Sequence, residues 1–278
     1  MFSRIRGVVG SAFAQPLATA ERLSAATHLL SSLEYMVRRS DRVTGGLNDW
    51  NHTRAQVPAK TRTAQVLRDF VAREPVTQAL HGSRALAAAV LIGPTRNNTV
   101  RMLANAYLAG TQVLIYPRHL FGTDGSDQVS FLVQSAAALG RAGGTQATRT
   151  AAVQFIGAQT VLSYGASGWA KLPGETWRSG DALVKIMRTR TYGDEWFFTN
   201  LQRYPQAARL LCHTVLAIEC GFPLLLLKRG RYIEAGLLVM GGFHLANARF
   251  MGLSRFAWAF MSTYPAVRAL AKGTGSES

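Results

Sequence analysis

Lys171 is the first candidate catalytic residue. It directly follows an uncharged run at residues 150–170. Residues 165–168 are Gly, Ala, Ser and Gly, and such small residues let helices approach closely. The amine of Lys171 can therefore face a protein interior, where desolvation favours the neutral amine, which is a base. The alternative is an interfacial lysine beside Trp169 whose stem lies on apolar surface while its charge reaches water.

His244 is the second candidate, and it lies in the middle of an apolar run. Asn247 follows three residues later, so a helix would place both side chains on one face. A histidine inside a transmembrane helix normally faces the bundle and has a partner there. Hydrogen bonding between helices and a functional role are both compatible with this pattern. Glu219, in another apolar run, is expected to accept a hydrogen bond from a neighbouring helix.

Metal and nucleotide chemistry find little support in the sequence. Zinc-binding His and Cys motifs and the glycine-rich nucleotide fingerprints are not present. Residues 124–127 resemble a fragment of a calcium loop, but a turn with a helix cap is the expectation there. Cys212 and Cys220 are about 12 Å apart along a helix, too far to form a disulfide with each other.

The elements that must position these side chains are a series of uncharged runs. The chain has 278 residues, 48% hydrophobic, and its 31 Lys and Arg against 15 Asp and Glu give a net charge of +16. The basic residues lie between the apolar runs and do not cluster on one face, which argues against a nucleic-acid-binding protein. The pattern predicts an all-α membrane bundle of six to eight transmembrane helices. The runs are residues 102–117, 128–140, 150–170, 210–227 (interrupted by His213 and Glu219), 235–248 and 256–267, and residues 85–93 form a shorter one.

Composition divides the chain into three parts. Residues 1–80 form a basic amphipathic region, in which residues 16–38 are a helix that either spans the membrane or lies at its interface. Its first 15 residues resemble a weak signal or transit peptide. Residues 81–270 form the transmembrane core, and residues 271–278 form a flexible tail.

Basic residues in the short connections set the orientation. Arg141 and Arg149, residues 228–231, and the end of the chain beyond residue 267 fall on one side if the spans alternate. The positive-inside rule makes that side cytoplasmic. Lys171 then lies at the extracytoplasmic end of its helix.

Two segments together resemble the HTTM superfamily, whose best-known member is the vitamin K-dependent gamma-glutamyl carboxylase. Residues 166–180 read A-S-G-W-A-K-L-P-G-E-T-W-R-S-G, which is similar to the superfamily pattern A-G-x-x-K-L-x-x-x-W-x-x-G. Residues 243–253, F-H-L-A-N-A-R-F-M-G-L, are similar to a Phe-His-x-x-Asn segment of the carboxylase. The resemblance covers about residues 80–268.

The resemblance implies a site. Lys171 matches the lysine that deprotonates vitamin K hydroquinone in the carboxylase, and His244 lies in the second matching segment, near the reaction site. Both are therefore our candidate catalytic residues, and a reduced quinone is the implied cofactor. The candidate substrate-binding residues are Trp169, Trp177, Asn247 and Arg249, and no metal is expected.

The chain also departs from the carboxylase. An Asn-His stretch expected before the lysine motif has no counterpart, and residues 136–144 occupy that neighbourhood. Only ten residues follow residue 268, where the carboxylase continues into a large lumenal domain, so carboxylation of a substrate protein is not expected.

Two hypotheses about function result. The first is a carboxylase-like or epoxidase-like enzyme of a bacterial plasma membrane, which abstracts a proton from a quinol or modifies a peptide. The second is a non-catalytic membrane partner in the maturation or export of a secreted peptide. It resembles the short bacterial HTTM members that mature a sporulation-delaying toxin. A soluble nucleic-acid-binding domain is a third, weaker alternative.

Overall fold

A computed structural model describes residues 15–273, and the secondary structure of those residues is entirely helical. The prediction of an all-α protein is confirmed. Contacts divide the described residues into two compact units, one spanning residues 17–152 and the other residues 153–273 together with residues 15–16. The boundary at residue 80 that composition predicts lies inside the first unit. The possible signal peptide at residues 1–15 and most of the expected tail lie outside the described residues.

The helices are connected by short turns. The first unit contains α1 (Pro16–Val37), α2 (Trp50–Gln56), α3 (Arg62–Val71), α4 (Glu74–Ile92), α5 (Asn98–Ile115) and α6 (Gly125–Ala142). Helix α7 (Gln146–Lys171) contains the division between the units. The second unit continues with α8 (Glu175–Ser179), α9 (Ala182–Met187), α10 (Glu195–Arg203), α11 (Pro205–Gly221), α12 (Ile233–Met251), α13 (Ser254–Ser262) and α14 (Tyr264–Lys272).

Helix α1 confirms the helix predicted at residues 16–38, but it is not amphipathic in the expected way. The Glu21 side chain is completely buried, whereas Val37 is largely exposed. Glu21 is accommodated because Arg101 Nε donates to its carboxylate at 2.7 Å and Asn105 Nδ2 at 2.6 Å. A buried carboxylate is tolerated only with such partners.

One apolar cluster in the core of the first unit consists mostly of short side chains. Leu91 of α4 and Leu108 of α5 are fully buried and pack with Ala25 of α1. The part of the predicted basic amphipathic region that follows α1 contains helices α2 and α3. Asp69 of α3 connects the two, because it accepts hydrogen bonds from Trp50 and Arg54.

In the second unit, prolines interrupt the long apolar runs. Helix α11 gives way to a 3-10 turn at Phe222–Leu226, whose second residue is Pro223. The run at residues 256–267 divides into α13 and α14 at Thr263, two residues before Pro265. Proline lacks the backbone N–H that a continuing α-helix requires, so the regular α-helical hydrogen bonding changes near each proline.

Glycines bring α7 close to its neighbours within the second unit. A Cβ added to Gly168 would lie 2.6 Å from the Cys220 backbone nitrogen of α11. A Cβ on Gly157 would lie 2.7 Å from the carbonyl oxygen of Ala266 in α14. The prediction that small residues before Lys171 permit a close helix approach is therefore confirmed.

One described helical segment could cross a membrane. Among the described residues, one helical segment, Pro205–Gly230, is both long and apolar enough to cross a membrane, with a mean hydropathy of 2.0. The other apolar runs also form helices, but no other described helix is both long enough and apolar enough to cross a membrane. Their polar residues, such as Asn105 and Gln112 of α5, are buried inside the first unit.

Two local predictions are confirmed. Asp124 caps α6 in a capping box with Asp127, so residues 124–127 form the expected turn and helix cap. Cys212 and Cys220 are free thiols.

Candidate functional site

A cavity of about 300 Å³ lies within the second unit, and both Lys171 and His244 contribute to its wall. Helices α7, α11 and α12 supply its polar groups. Its apolar lining includes Leu183 and Ile186 of α9 and Phe260 of α13. The two candidate catalytic residues, 73 positions apart in the sequence, thus lie at one cavity.

Lys171 forms an ion pair at one end of this cavity. Its Nζ donates to Glu219 Oε2 at 2.5 Å and to Ser167 Oγ at 2.6 Å. Ser167 lies one helical turn before Lys171 on α7, so both side chains leave the same face. The ammonium also lies 5.4 Å from the ring centre of Trp177, within range of a cation–π interaction. The carboxylate side chain is 6% exposed and the lysine side chain 25%, so the pair is shielded from water.

His244 occupies a second, more apolar part of the cavity. Its Nε2 lies 2.8 Å from the hydroxyl of Tyr164, and either atom can be the donor. The imidazole stacks on Phe260, with ring centres 4.8 Å apart, and contacts Phe256 at 5.4 Å. His244 Nδ1 is buried and has no hydrogen-bond partner. Burial among aromatic rings penalises the charged imidazolium, so the geometry favours a neutral histidine.

The spacing along α7 sets the distance between the two polar groups. Tyr164 and Lys171 are seven residues, or about two turns, apart, which corresponds to about 10 Å along the helix axis. Gly165 and Gly168 lie between them, and the first approaches Pro223 while the second approaches Cys220. One helix face thus presents a neutral Tyr–His pair and a charged Lys–Glu pair to the same cavity.

The candidate substrate-binding residues divide into two groups. Trp177 and Asn247 line the cavity. Trp169 is 54% exposed and does not line it. The Arg249 side chain is 70% exposed and lies 3.4 Å from Asp194, also away from the cavity wall. Helical geometry explains the difference, since Trp169 and Arg249 each lie two positions from a cavity residue and project from another side of the helix.

Sequence reasoning did not identify the hydrogen-bond partners Tyr164 and Ser167, and it found Glu219 only in part. Tyr164 and Ser167 precede Lys171 by seven and four residues, which is the spacing of one helix face. That periodicity could have identified them. Glu219 was expected to accept a hydrogen bond from a neighbouring helix, as it does from α7. Nothing in the sequence says that its partner is Lys171.

The Tyr164 hydroxyl can be tested by a single-atom change. We expect Tyr164→Phe to lower the free energy of unfolding by about 1–3 kcal/mol, because it leaves the buried Nε2 of His244 without its partner. The matched control is Tyr107→Phe, whose hydroxyl bonds Ser83 at an exposed position and should cost less than about 0.5 kcal/mol. Chemical denaturation of the purified protein in detergent measures both. Equal losses would show that the Tyr164–His244 hydrogen bond stabilises the protein no more than the exposed Tyr107–Ser83 hydrogen bond does.

Among the described residues, no group of three or more His, Cys, Asp or Glu side chains is arranged to hold a metal ion. Comparison of the chain with known protein families, with curated proteins and with solved structures finds no match. The HTTM resemblance of the segments around Lys171 and His244 therefore remains a prediction from those residues.

Proposed function

We propose that the chain is a polytopic helical membrane protein whose cavity in residues 153–273 binds a quinol and accepts a proton from it. The observation that carries this proposal is the presence of two different polar pairs, Lys171–Glu219 and Tyr164–His244, on the wall of one largely apolar cavity. Ligand sites typically combine apolar walls with a few convergent polar groups in this way.

A membrane environment is supported by where polar and apolar side chains lie. Leu210 of α11 and Leu238 of α12 are more than two thirds exposed. In the first unit, Leu86 and Leu139 are similarly exposed. In the same unit, Arg84 and other polar side chains are almost fully buried. Apolar groups outside and hydrogen-bonded polar groups inside are typical of helices surrounded by lipid.

A quinol suits the cavity in shape and chemistry. Its flat aromatic ring can pack against Phe256 and Phe260, and its two hydroxyl groups need a polar partner at each end. Lys171 and Glu219 lie near one end and His244 near the other. The volume of about 300 Å³ is at the small end of the range for ligand sites, which limits the ligand to a compact ring system.

The Lys171–Glu219 ion pair changes which of the two residues we expect to accept the proton. A neutral lysine base would have to give up its proton beside a carboxylate 2.5 Å away, which Coulomb attraction opposes. We therefore assign the proton acceptor to Glu219 Oε2 and the stabilisation of the resulting anion to the Lys171 ammonium. His244, hydrogen-bonded to Tyr164, holds the other ligand oxygen and remains neutral.

The positive-inside rule gives an orientation for the segment that holds Glu219, which lies 14 residues after its start at Pro205 and nine residues before Lys228. Lys228 and Arg229 occupy the connection after α11, at the end of the helix opposite its start at Pro205. If α11 crosses the membrane with that connection in the cytoplasm, its beginning lies outside. A lipid-soluble quinol could then enter from the bilayer.

The alternative function is a non-catalytic partner in peptide maturation or export. This alternative is favoured by the hydrogen bonds that the Lys171 ammonium donates to Glu219 and Ser167, because the three groups already provide partners for one another. In that case the pair would fix the packing of α7 on α11 and would bind no quinol. The two functions therefore differ in whether the protein binds a quinol, which can be measured.

Quinol binding tests the proposal directly. Full-length protein in detergent is titrated anaerobically with menadiol, a naphthoquinol without a prenyl tail, and tryptophan fluorescence is followed. We expect saturable quenching that is largely lost in Trp177→Phe, whose indole lines the cavity. Glu219→Gln should weaken binding at least tenfold, because a hydrogen bond to a charged group is worth about 1.5–3 kcal/mol. The matched control is Glu234→Gln, which removes a carboxylate paired with Lys272 away from the cavity.

Absorbance distinguishes binding from proton transfer. If Glu219 accepts the proton, bound menadiol should show the red-shifted spectrum of its anion at a pH where free menadiol is neutral. Glu219→Gln should abolish that shift. Absence of binding by the unaltered protein, or equal binding by the Glu219 and Glu234 variants, would reject the quinol site. A secreted peptide that co-purifies with such a non-binding protein would favour the alternative.

A further inference from the structure

The first unit contains one buried carboxylate that two arginines bind directly, and the backbones of two further arginines lie close to this network. The carboxylate is Glu21 of α1, and the cluster consists of Arg22, Arg101, Arg141 and Arg149. Arg101 and Arg141 bind Glu21 directly. The backbone of Arg149 passes close to Gly140, the residue before Arg141.

Glu21 has no capacity left for further cations. One carboxylate oxygen accepts from Arg101 Nε at 2.7 Å and also from Arg141 Nη2. The other accepts from Arg141 Nε at 2.9 Å and from Asn105 Nδ2 at 2.6 Å. One negative charge thus faces two directly bound guanidinium groups, which leaves an excess of one positive charge in a buried network.

Arg22 adds to this excess. The charges of Arg141 and Arg22 both act unfavourably on the cation of Arg101. Residues 75–123 and 128–174, which contain three of the four arginines, contain no Asp or Glu. The cost of burying charge falls only when a counter-charge is present.

Several guanidinium donors of the cluster are buried and have no hydrogen-bond partner among residues 15–273. They include Nη2 of Arg101, whose side chain is 3% exposed, and Nε of Arg22 and of Arg149. A buried donor without an acceptor costs about 1–3 kcal/mol, more when it is charged. Arg101 Nη2 is the strongest indication, since the same side chain is otherwise held in place by Glu21 and by the Thr95 carbonyl oxygen.

We propose that this arginine cluster binds a phosphate-type anion. The planar fork of arginine matches phosphate oxygens in geometry and charge. The phosphate can come from the phosphodiester of an anionic lipid or from free inorganic phosphate. Orientation by the positive-inside rule, which places Arg141 and Arg149 on the cytoplasmic side, favours the lipid source, since basic pockets between membrane helices there bind anionic headgroups.

The test compares two lipids and inorganic phosphate on the full-length protein in detergent. Native mass spectrometry measures retention of phosphatidylglycerol against phosphatidylcholine, and thermal unfolding measures stabilisation by inorganic phosphate. We expect phosphatidylglycerol to bind and phosphatidylcholine not to bind. Arg22→Gln/Arg149→Gln should weaken binding about 30-fold, from roughly 1 kcal/mol for each arginine. The matched control is Arg188→Gln/Arg190→Gln, which removes two exposed arginines of the second unit and should leave binding unchanged.

A second variant guards against loss of folding. Arg101→Lys keeps the charge beside Glu21 but removes the fork, so the protein should fold and lose about tenfold in anion affinity. Retention of phosphatidylglycerol alone identifies a lipid site, and stabilisation by inorganic phosphate identifies a site for the free ion; both support the proposal. Failure of both anions to bind, or equal weakening in the control variant, would overturn it. Quinol binding in the same preparations reports independently on the cavity of the second unit.

Discussion

Lys171→Met should destabilise the protein by about 3 kcal/mol, and replacing Glu219 by glutamine in the same chain should restore most of that loss. The single variant leaves a carboxylate that is 6% exposed without its partner, and an uncompensated buried charge costs about 3–5 kcal/mol. The double variant removes both charges and leaves a glutamine amide that can still hydrogen-bond with Ser167. Glu219→Gln alone should cost less than Lys171→Met, because the lysine is 25% exposed and its ammonium can still reach water.

Chemical denaturation of the four proteins in one detergent gives the coupling energy of the pair. The reference is Lys272→Met, which breaks the 2.7 Å pair with Glu234. That carboxylate is 46% exposed, so the loss there should be below about 1 kcal/mol. A coupling energy near zero for Lys171 and Glu219 would mean that the pair does not stabilise the packing of α7 on α11. The double variant also separates stability from function, since it should fold and yet fail to bind menadiol.

The meeting of Lys171 and His244 at one cavity was the part of the site that sequence could predict. A lysine after small residues and a histidine inside an apolar run each indicate a side chain that faces protein. Their partners were harder to predict. The choice between an interior lysine and an interfacial one depends on the position of Glu219, 48 residues away, and no local pattern encodes that contact.

Contacts between residues far apart in the sequence were even harder to predict inside the first unit. In the sequence Glu21 lies among apolar residues of a predicted helix, and the structure places it at the centre of a network with Arg101 and Arg141. These partners lie 80 and 120 residues away, so helical periodicity carries no information about them. Helix existence was predictable from the apolar runs, since local spacing determines it. The breaks at Pro223 and Pro265 were also visible in the sequence, but they were not used to divide the runs.

Gly168→Ala should destabilise the protein by about 2 kcal/mol, although alanine is the better helix former. The added Cβ would lie 2.6 Å from the Cys220 nitrogen and 2.8 Å from Glu219 Cβ. A backbone atom cannot move aside alone, so α7 and α11 must separate, and overpacking of this kind costs about 1–3 kcal/mol. Separation would also lengthen the Lys171–Glu219 contact, so menadiol binding should weaken with stability.

Gly242→Ala is the matched substitution, on α12, because a Cβ there meets nothing within 4 Å. It should stabilise the protein by about 0.5–1 kcal/mol through the higher helix propensity of alanine. The same chemical change should therefore have opposite signs at the two glycines. Denaturation curves of both variants measure this difference, and destabilisation of similar size at both positions would show that Gly168 does not mark a close helix contact. The sign at Gly168 thus tests the α7–α11 contact on which the geometry of the cavity depends.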